Sequence, residues 1–287
     1  MPAVFVLIWS TGFVVARYGM PHAPPLSFLT VRFALSVVAF GVWIALARPS
    51  WPQGRAQWGH LAVVGALMQA GYLGGVWAAV RHGLGAGLIA LIVGLQPVLT
   101  ALWVSTTRRA SGGSAAVSMT QWLGLALGLA GLLLVVWHKL HAGQADGLNL
   151  GLGVFALLSI TAGTLYQKRW VQPCDVRTAS FVQQLAALAV AAPLALLEPG
   201  RFEPHPELIG AMLWSVLVLT LGGSSLLYLL LQRGAATVVS SLMYLVPPCT
   251  ALMAWWLFGE TLTAQSFAGL ALTALGVALV VRAAPSK

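Results

Sequence analysis

Arg81 to Leu102 (RHGLGAGLIALIVGLQPVLTAL) is echoed by Leu231 to Leu252 (LQRGAATVVSSLMYLVPPCTAL). Pro97, Thr100, Ala101 and Leu102 return 150 residues later as Pro247, Thr250, Ala251 and Leu252, each copy being a long apolar run with a proline in its interior. Further on, Gly124 to Leu127, Gly131 and Leu134 to Val136 match Gly269 to Leu272, Gly276 and Leu279 to Val281 at an offset of 145. Both offsets are about half the 287 residues, so the chain reads as two copies of one unit, residues 1–140 and 141–287. The five-residue slip falls in the polar connection Thr106 to Ser118.

Composition sets the solvent. Charged residues are 7% of the chain and the mean hydropathy is +0.87, whereas soluble domains carry about 25% charge. A water-soluble surface cannot be covered with so little. A helix needs roughly 20 apolar residues to cross a bilayer core, and ten runs approach that: Ala3–Tyr18, Leu26–Ala47, Trp58–Val80, Leu84–Val104, Gln121–Trp137, Leu148–Gln167, Thr178–Leu197, Leu208–Leu231, Ala235–Phe258 and Ala264–Val281. In lipid each open-chain segment must satisfy its own backbone, which leaves helices; the short alternating strands of a barrel are absent from the sequence. The expected fold is an all-α membrane protein of ten transmembrane helices, two five-helix repeats in inverted topology.

Lys and Arg concentrate in one set of connections, at Arg48, Arg55, Arg108, Arg109, Lys168, Arg169, Arg177, Arg233, Arg282 and Lys287, against Arg17, Arg81, Lys139 and Arg201 in the other. The positive-inside rule then puts both termini in the cytoplasm. The formal charge of +9 is a topology signal of singly spaced basic residues and makes no nucleic-acid stripe. The first span lacks the pattern of a cleaved signal peptide and reads as retained. Cys174 and Cys249 fall in different environments and are not expected to pair. His138 and His141 have metal-ligand spacing without a third ligand and read as a solvated linker, so no metal or cofactor is expected.

Several residues are candidates for a polar midplane site. Trp9, Ser10, Thr11 and Gly12 centre the first span, where they either pack helices together or offer hydroxyls to a cavity. Thr161 matches Thr11 at the offset of 150, which predicts that the two face each other across a pseudo-twofold axis. Arg32 lies six residues into the second span, where an arginine costs roughly 2.5–3.5 kcal/mol at the bilayer centre. It either faces a cavity or protein partner, or snorkels to the outer headgroups. No intramembrane carboxylate is available to it, and its counterpart in the second copy falls near Gln183 and Gln184. Gln69 and Tyr72 mark the third span. Gln96 precedes Pro97, whose missing donor frees a carbonyl one turn back. Pro247 and Pro248 repeat that break with Tyr244 a turn earlier, and Tyr228 adds a hydroxyl in the eighth span. Pro97, Pro247 and Pro248 are the candidate kinks or gates; either packing or gating explains them.

An odd number of spans per copy makes the second copy enter the membrane from the opposite face, the architecture of many secondary transporters. The run Trp9 to Gly19 (WSTGFVVARYG), the Pro-Pro-Leu and Arg32-Phe33 after it, and Gly259 to Thr263 (GETLT) leading to Gly269 and Gly276 resemble the EamA-type transporters of the drug/metabolite transporter superfamily. The resemblance implies a ten-helix permease with a central cavity and cytoplasmic termini. It also implies export of amino acids, metabolites or toxic cations. Small cation-exporting relatives place a glutamate in the first helix; here Trp9, Ser10 and Thr11 stand there. Glu260 belongs to the matched motif but sits at a helix end, where a cap or interfacial anchor is expected. With Arg32 as the candidate membrane charge, a small zwitterionic or anionic substrate is favoured. Proton antiport of cations, and a membrane enzyme or lipid-handling protein, are the alternatives. The ten spans hold no clustered nucleophile and base for chemistry, and no phosphate loop for ATP. The expected partners are a small-molecule substrate and the lipid bilayer, with no nucleic acid.

Overall fold

The computed structural model describes residues 2–100, 103, 119–141, 145–223, 226 and 245–282. Ten helices follow in order: α1 (Pro2–Gly19), α2 (Pro25–Ala47), α3 (Arg55–Arg81), α4 (Ala86–Thr100), α5 (Met119–His141), α6 (Gly147–Trp170), α7 (Val176–Ala195), α8 (Pro206–Gly222), α9 (Val246–Phe258) and α10 (Ala264–Arg282). No strand occurs among the described residues. Of these, α2, α3, α6 and α7 are long and apolar enough to cross a membrane by themselves, and the other six carry apolar stretches of 10 to 17 residues. Leu46, Leu133, Leu148, Phe155, Leu217 and Trp256 stand exposed along the bundle's outside. A lipid-facing surface accounts for that, since soluble monomers rarely expose apolar area on such a scale.

Local chemistry sets the helix starts. Pro24 and Pro25 open α2, where a missing N–H costs nothing. Asp146 caps α6 in a reciprocal box with Asn149, each accepting the other's backbone N–H at 2.8 and 2.9 Å. Asp175 caps α7 and is gripped by Arg177 through its backbone N–H (2.9 Å), Nε (2.9 Å) and Nη2 (2.7 Å). Two more caps arrive from the other half. The Glu198 carboxylate accepts from the Leu26 and Ser27 N–H groups at the start of α2, and Glu260 accepts from the Ala86 N–H at the start of α4. Glu260 is thus the helix-end cap its position suggested.

One expected boundary shifts and one span is interrupted. α5 is helical to His141, so His138 and His141 ride on a helix instead of a loop. α4 is interrupted at Gly94 and Leu95, just before Pro97, as the missing donor requires. Pro247 and Pro248 fall in the first turn of the described α9. The upstream part of that span, with Tyr228, Tyr244 and the connection Thr106 to Ser118, lies outside the described residues.

The packing shows how the halves relate. α5 lies on α10 and α2 on α7; α1 meets α9 as α6 meets α4, α3 meets α6 as α8 meets α1, and α3 meets α7 as α8 meets α2. Exchanging each helix for the one five places away maps this set onto itself. The α5–α10 seam gives the direction of the axis. Gly131 abuts Gly269, and Gly124 abuts Gly276. Numbers rise along one helix as they fall along the other, so the pair is antiparallel. Because Gly124 is the counterpart of Gly269 and Gly131 of Gly276, the two contacts exchange under a twofold perpendicular to the helices. An axis so placed lies in the membrane plane and makes the repeat an inverted one.

Cβ atoms are excluded from that seam: one added to Gly131 would sit 2.8 Å from the Thr273 backbone N, and one on Gly276 would sit 2.9 Å from Gly128 Cα. Gly131→Val is therefore expected to destabilise by about 1–3 kcal/mol through overpacking, read as a lower unfolding midpoint in detergent. Gly151→Ala, with open space around it, is expected to leave the midpoint unchanged or raised. A second expectation concerns acid. Hydrogen bonds from Arg177 hold the Asp175 carboxyl below the ordinary carboxylate range, so its contribution is present at neutral pH and lost as pH falls through that depressed value. Asp175→Asn keeps a capping side chain; the stability gap between it and the parent chain should close as pH drops below about 4.

Candidate functional site

The polar centre of the bundle is organised by two departures from α-helical geometry. Residues Gly65–Gly71 of α3 and Trp214–Gly222 of α8 are π-helical. Residue 65 plus the repeat offset of 150 is residue 215, so the wide turns occupy equivalent places in the two halves. Wide turns of this kind leave carbonyls imperfectly matched and recur at functional sites. Gln69 lies within the first, Tyr72 directly follows it, and Thr220 lies within the second. At Gly65 the α3 backbone comes so close to α7 that a Cβ there would sit 2.7 Å from Gln183 Cα.

Arg32 is buried between these turns at 7% exposure, so it does not snorkel. Its Nη2 donates to Thr220 Oγ1 at 3.3 Å, and Thr220 Oγ1 donates to the Ser215 carbonyl at 2.8 Å, five residues back across the π turn. Tyr72, also buried, is near enough to interact with the Arg32 charge. The hydrogen bond joins α2 of the first half to α8 of the second. No other hydrogen-bond partner of Arg32, and no carboxylate paired with it, occurs among the described residues. Three more buried side chains on α2, α7 and α8 have unmet capacity. Ser36, one turn along α2, Ser215 on α8 and the Gln184 Oε1 on α7 are buried with no partner among the described residues.

The remaining candidates scatter around this centre. Gln96 Nε2 donates to Thr164 Oγ1 at 2.9 Å, joining α4 to α6 between the halves beside the break at Gly94. Pro247 closes on Gly94, within 2.8 Å of where a Cβ would stand. Trp9 is half-buried against Phe5 and the core. Thr11 and Thr161 do not meet. Thr11 accepts the Trp214 indole N–H at 2.8 Å and so turns to α8, while Thr161 donates to the Leu157 carbonyl at 2.6 Å within its own helix. The reason is that α1 packs on α8 and α6 on α3; symmetry makes the two threonines equivalent without making them opposed.

Sequence reasoning missed Thr220, Ser215 and Thr164, and it missed the closures at the two ends. At one end His22 Nε2 lies 2.9 Å from Glu207 Oε2, and the His22 carbonyl accepts the Glu203 N–H at 2.9 Å. At the other, Gln57 Nε2 donates to the Gln172 carbonyl at 2.9 Å and Gln57 Oε1 accepts the Gln172 N–H at 3.2 Å. His22 and Gln172 are 150 apart, as are Gln57 and Glu207. The closures are thus one contact used twice, and the repeat offset, carried into the loops, is the signal that would have found them. Beside the second lies a polar recess of about 350 Å³ walled by His60, Arg169, Trp170 and Gln172.

The comparisons agree with this architecture. The EamA-like transporter family matches residues 3–137 and again 148–282. A "Probable amino-acid metabolite efflux pump" of Salmonella typhimurium is 27% identical over 282 residues, covering 95% of this chain and 90% of that protein. The "Uncharacterized inner membrane transporter YedA" of Escherichia coli strain K12 is 27% identical over 288 residues, covering 97% and 89%. A solved crystal structure shares the fold with a TM-score of 0.63 at 18% identity, over 99% of this chain and 96% of that one. Two family matches on two five-helix halves related by a membrane-plane axis leave one conclusion: the chain belongs to the EamA-like transporter family of the drug/metabolite transporter superfamily and is a membrane transporter, not an enzyme.

Proposed function

We propose that the chain exports small metabolites bearing a carboxylate, amino acids or related zwitterions and anions, across a bacterial inner membrane by alternating access. The halves in this reading are residues 1–140 and 141–287, both termini are cytoplasmic, and no cofactor takes part. The observation that carries it is Arg32: a buried guanidinium whose one described partner is the neutral hydroxyl of Thr220. An uncompensated charge at that depth is costly, and a substrate carboxylate would supply the missing acceptor and a charge-assisted hydrogen bond. Tyr72 is its close neighbour, Gln69 and Gln183 are assigned to the same cavity, and the unmet groups of Ser36, Ser215 and Gln184 suit the ammonium and hydroxyl groups of such substrates. This reading assigns Trp9, Thr11, Gln96 and Thr161 to the substrate route, with Pro97, Pro247 and Pro248 as its flexing points. The similarity to the Salmonella protein named a probable amino-acid metabolite efflux pump supports the same substrate class.

The test is counterflow in liposomes holding the purified full-length chain. A labelled amino acid from a broad panel should exchange faster when the unlabelled compound is present on the far side, which a passive channel would not show. Arg32→Gln should lower that exchange about 10- to 100-fold, since losing a hydrogen bond to a charged group costs roughly 1.5–3 kcal/mol, and Arg32→Lys should retain part of it. Movement of lipophilic cations with none of the amino acids would overturn the proposal.

A further inference from the structure

The two end closures occupy equivalent places but differ in chemistry. Gln57 and Gln172 are neutral amides that satisfy each other's backbone and side chain. At the opposite end a second imidazole joins His22 and Glu207. His205, the residue that caps α8, stacks its ring on that of His22, with centroids 4.0 Å apart and planes 12° from parallel. One ligand atom from each of His22, His205 and Glu207 lies within 4.8 Å of the others.

We propose that His22, His205 and Glu207 form a binding site for a borderline divalent cation of the zinc class, and that the bound ion ties the turn before α2 to the start of α8, sealing this end alone. Zinc takes imidazole nitrogen at about 2.0–2.1 Å and carboxylate oxygen at about 2.0–2.2 Å, which sets ligands about 3.4 Å apart around a tetrahedron. His22 Nε2 is 2.9 Å and His205 Nδ1 3.9 Å from Glu207 Oε2, separations that straddle that figure. To ligate, the His205 ring must turn out of its stack on His22, and Nδ1 must exchange the Glu207 N–H it accepts at 3.3 Å for the ion. Two imidazoles and one carboxylate select zinc, nickel or copper over magnesium and calcium, which prefer all-oxygen shells. His205 and Glu207 are about half exposed, at 46% and 50%, and admit the ion from solvent; His22, at 17%, forms the inner wall.

The surroundings suit a cation. Glu203 is anchored to the His22 carbonyl, and Glu198 spends its charge on the α2 N-terminus nearby. Arg81 is held on the Met20 carbonyl. His22 belongs to the first half and the other two ligands to the second, so occupancy couples the halves directly. Among the described residues no comparable ligand set occurs around the neutral pair at the other end, and the ion therefore acts from one face of the membrane.

Binding is read without reference to the transported substrate, so its failure and that of the proposed export are separate results. The purified full-length chain in detergent, stripped with a chelator, is titrated with zinc chloride by calorimetry and with cobalt(II) by its visible absorption. One ion per chain is expected, together with a rise in unfolding midpoint. The double variant His22→Gln, His205→Asn should weaken binding at least 10-fold and lose the rise, while unfolding like the parent chain when metal is withheld. His205→Asn alone retains a cap for the Glu207 N–H and is the variant to read if the double one folds poorly. No zinc binding, unchanged affinity in the variants, or binding without any rise in midpoint would each overturn the proposal.

Discussion

A backbone carbonyl released inside hydrocarbon has only protein to bond, and leaving it bare costs several kcal/mol. That constraint makes the described apolar spans of this chain helices, and it makes the two π-helical departures informative. The π turns at 65–71 and 214–222 are the places where the ladder is loosened at depth, and the polar centre is assembled on them. Thr220 repairs one freed carbonyl by bonding Ser215, and the same oxygen receives Arg32. Gly65 lets α7 press against the other turn at Gln183. Remove the turns and Arg32 loses its partner, while α7 loses its seat.

The spans were legible because composition and length alone decide them, and proline and aspartate mark their starts at Pro25, Asp146 and Asp175. The interruption before Pro97 was legible for the same reason: a missing N–H acts locally. The π turns were not. Gly65 and Gly71 can sit in an ordinary helix, and the partner packed on the turn at Gly65, Gln183, is 118 residues away in the chain and outside any local pattern. Thr11 and Thr161 show the limit of symmetry. The offset of 150 made them equivalent, but which helix each one faces is set by the packing order, α1 on α8 and α6 on α3. Arg32 was legible as a costly charge; its partner Thr220 was not, because a lone threonine in an apolar run carries no signal until the fold places it.

The glycine seam between α5 and α10 explains why one repeat could be used twice. A twofold contact must be self-complementary, since each surface meets the counterpart of itself. Gly124 and Gly131 against Gly276 and Gly269 satisfy that with the smallest side chain available, and small residues are what membrane helices use where burial against lipid supplies no net drive. Thr273 adds a polar tie, donating to the Gly269 carbonyl of its own helix and lying 3.4 Å from the Gly128 carbonyl across the seam.

Exact symmetry would make the inward- and outward-facing states of such a molecule equal in free energy. This chain has broken the symmetry at the positions that distinguish them. Arg32 stands opposite uncharged Gln183 and Gln184, and an ionisable closure at one end stands opposite an amide closure at the other. In an alternating-access cycle each difference biases which face is open at rest, by as much as its differential interaction with the two states. Such a bias cannot by itself drive net flux, which a gradient or coupled ion must supply; it sets how strongly substrate is held on each side. Because the closing contacts are weak individually, a change of about 1.4 kcal/mol at one closure is enough to shift the resting population tenfold. On the proposed alternating-access cycle, the sites that diverged between the copies, rather than those that stayed alike, would carry any direction-dependence.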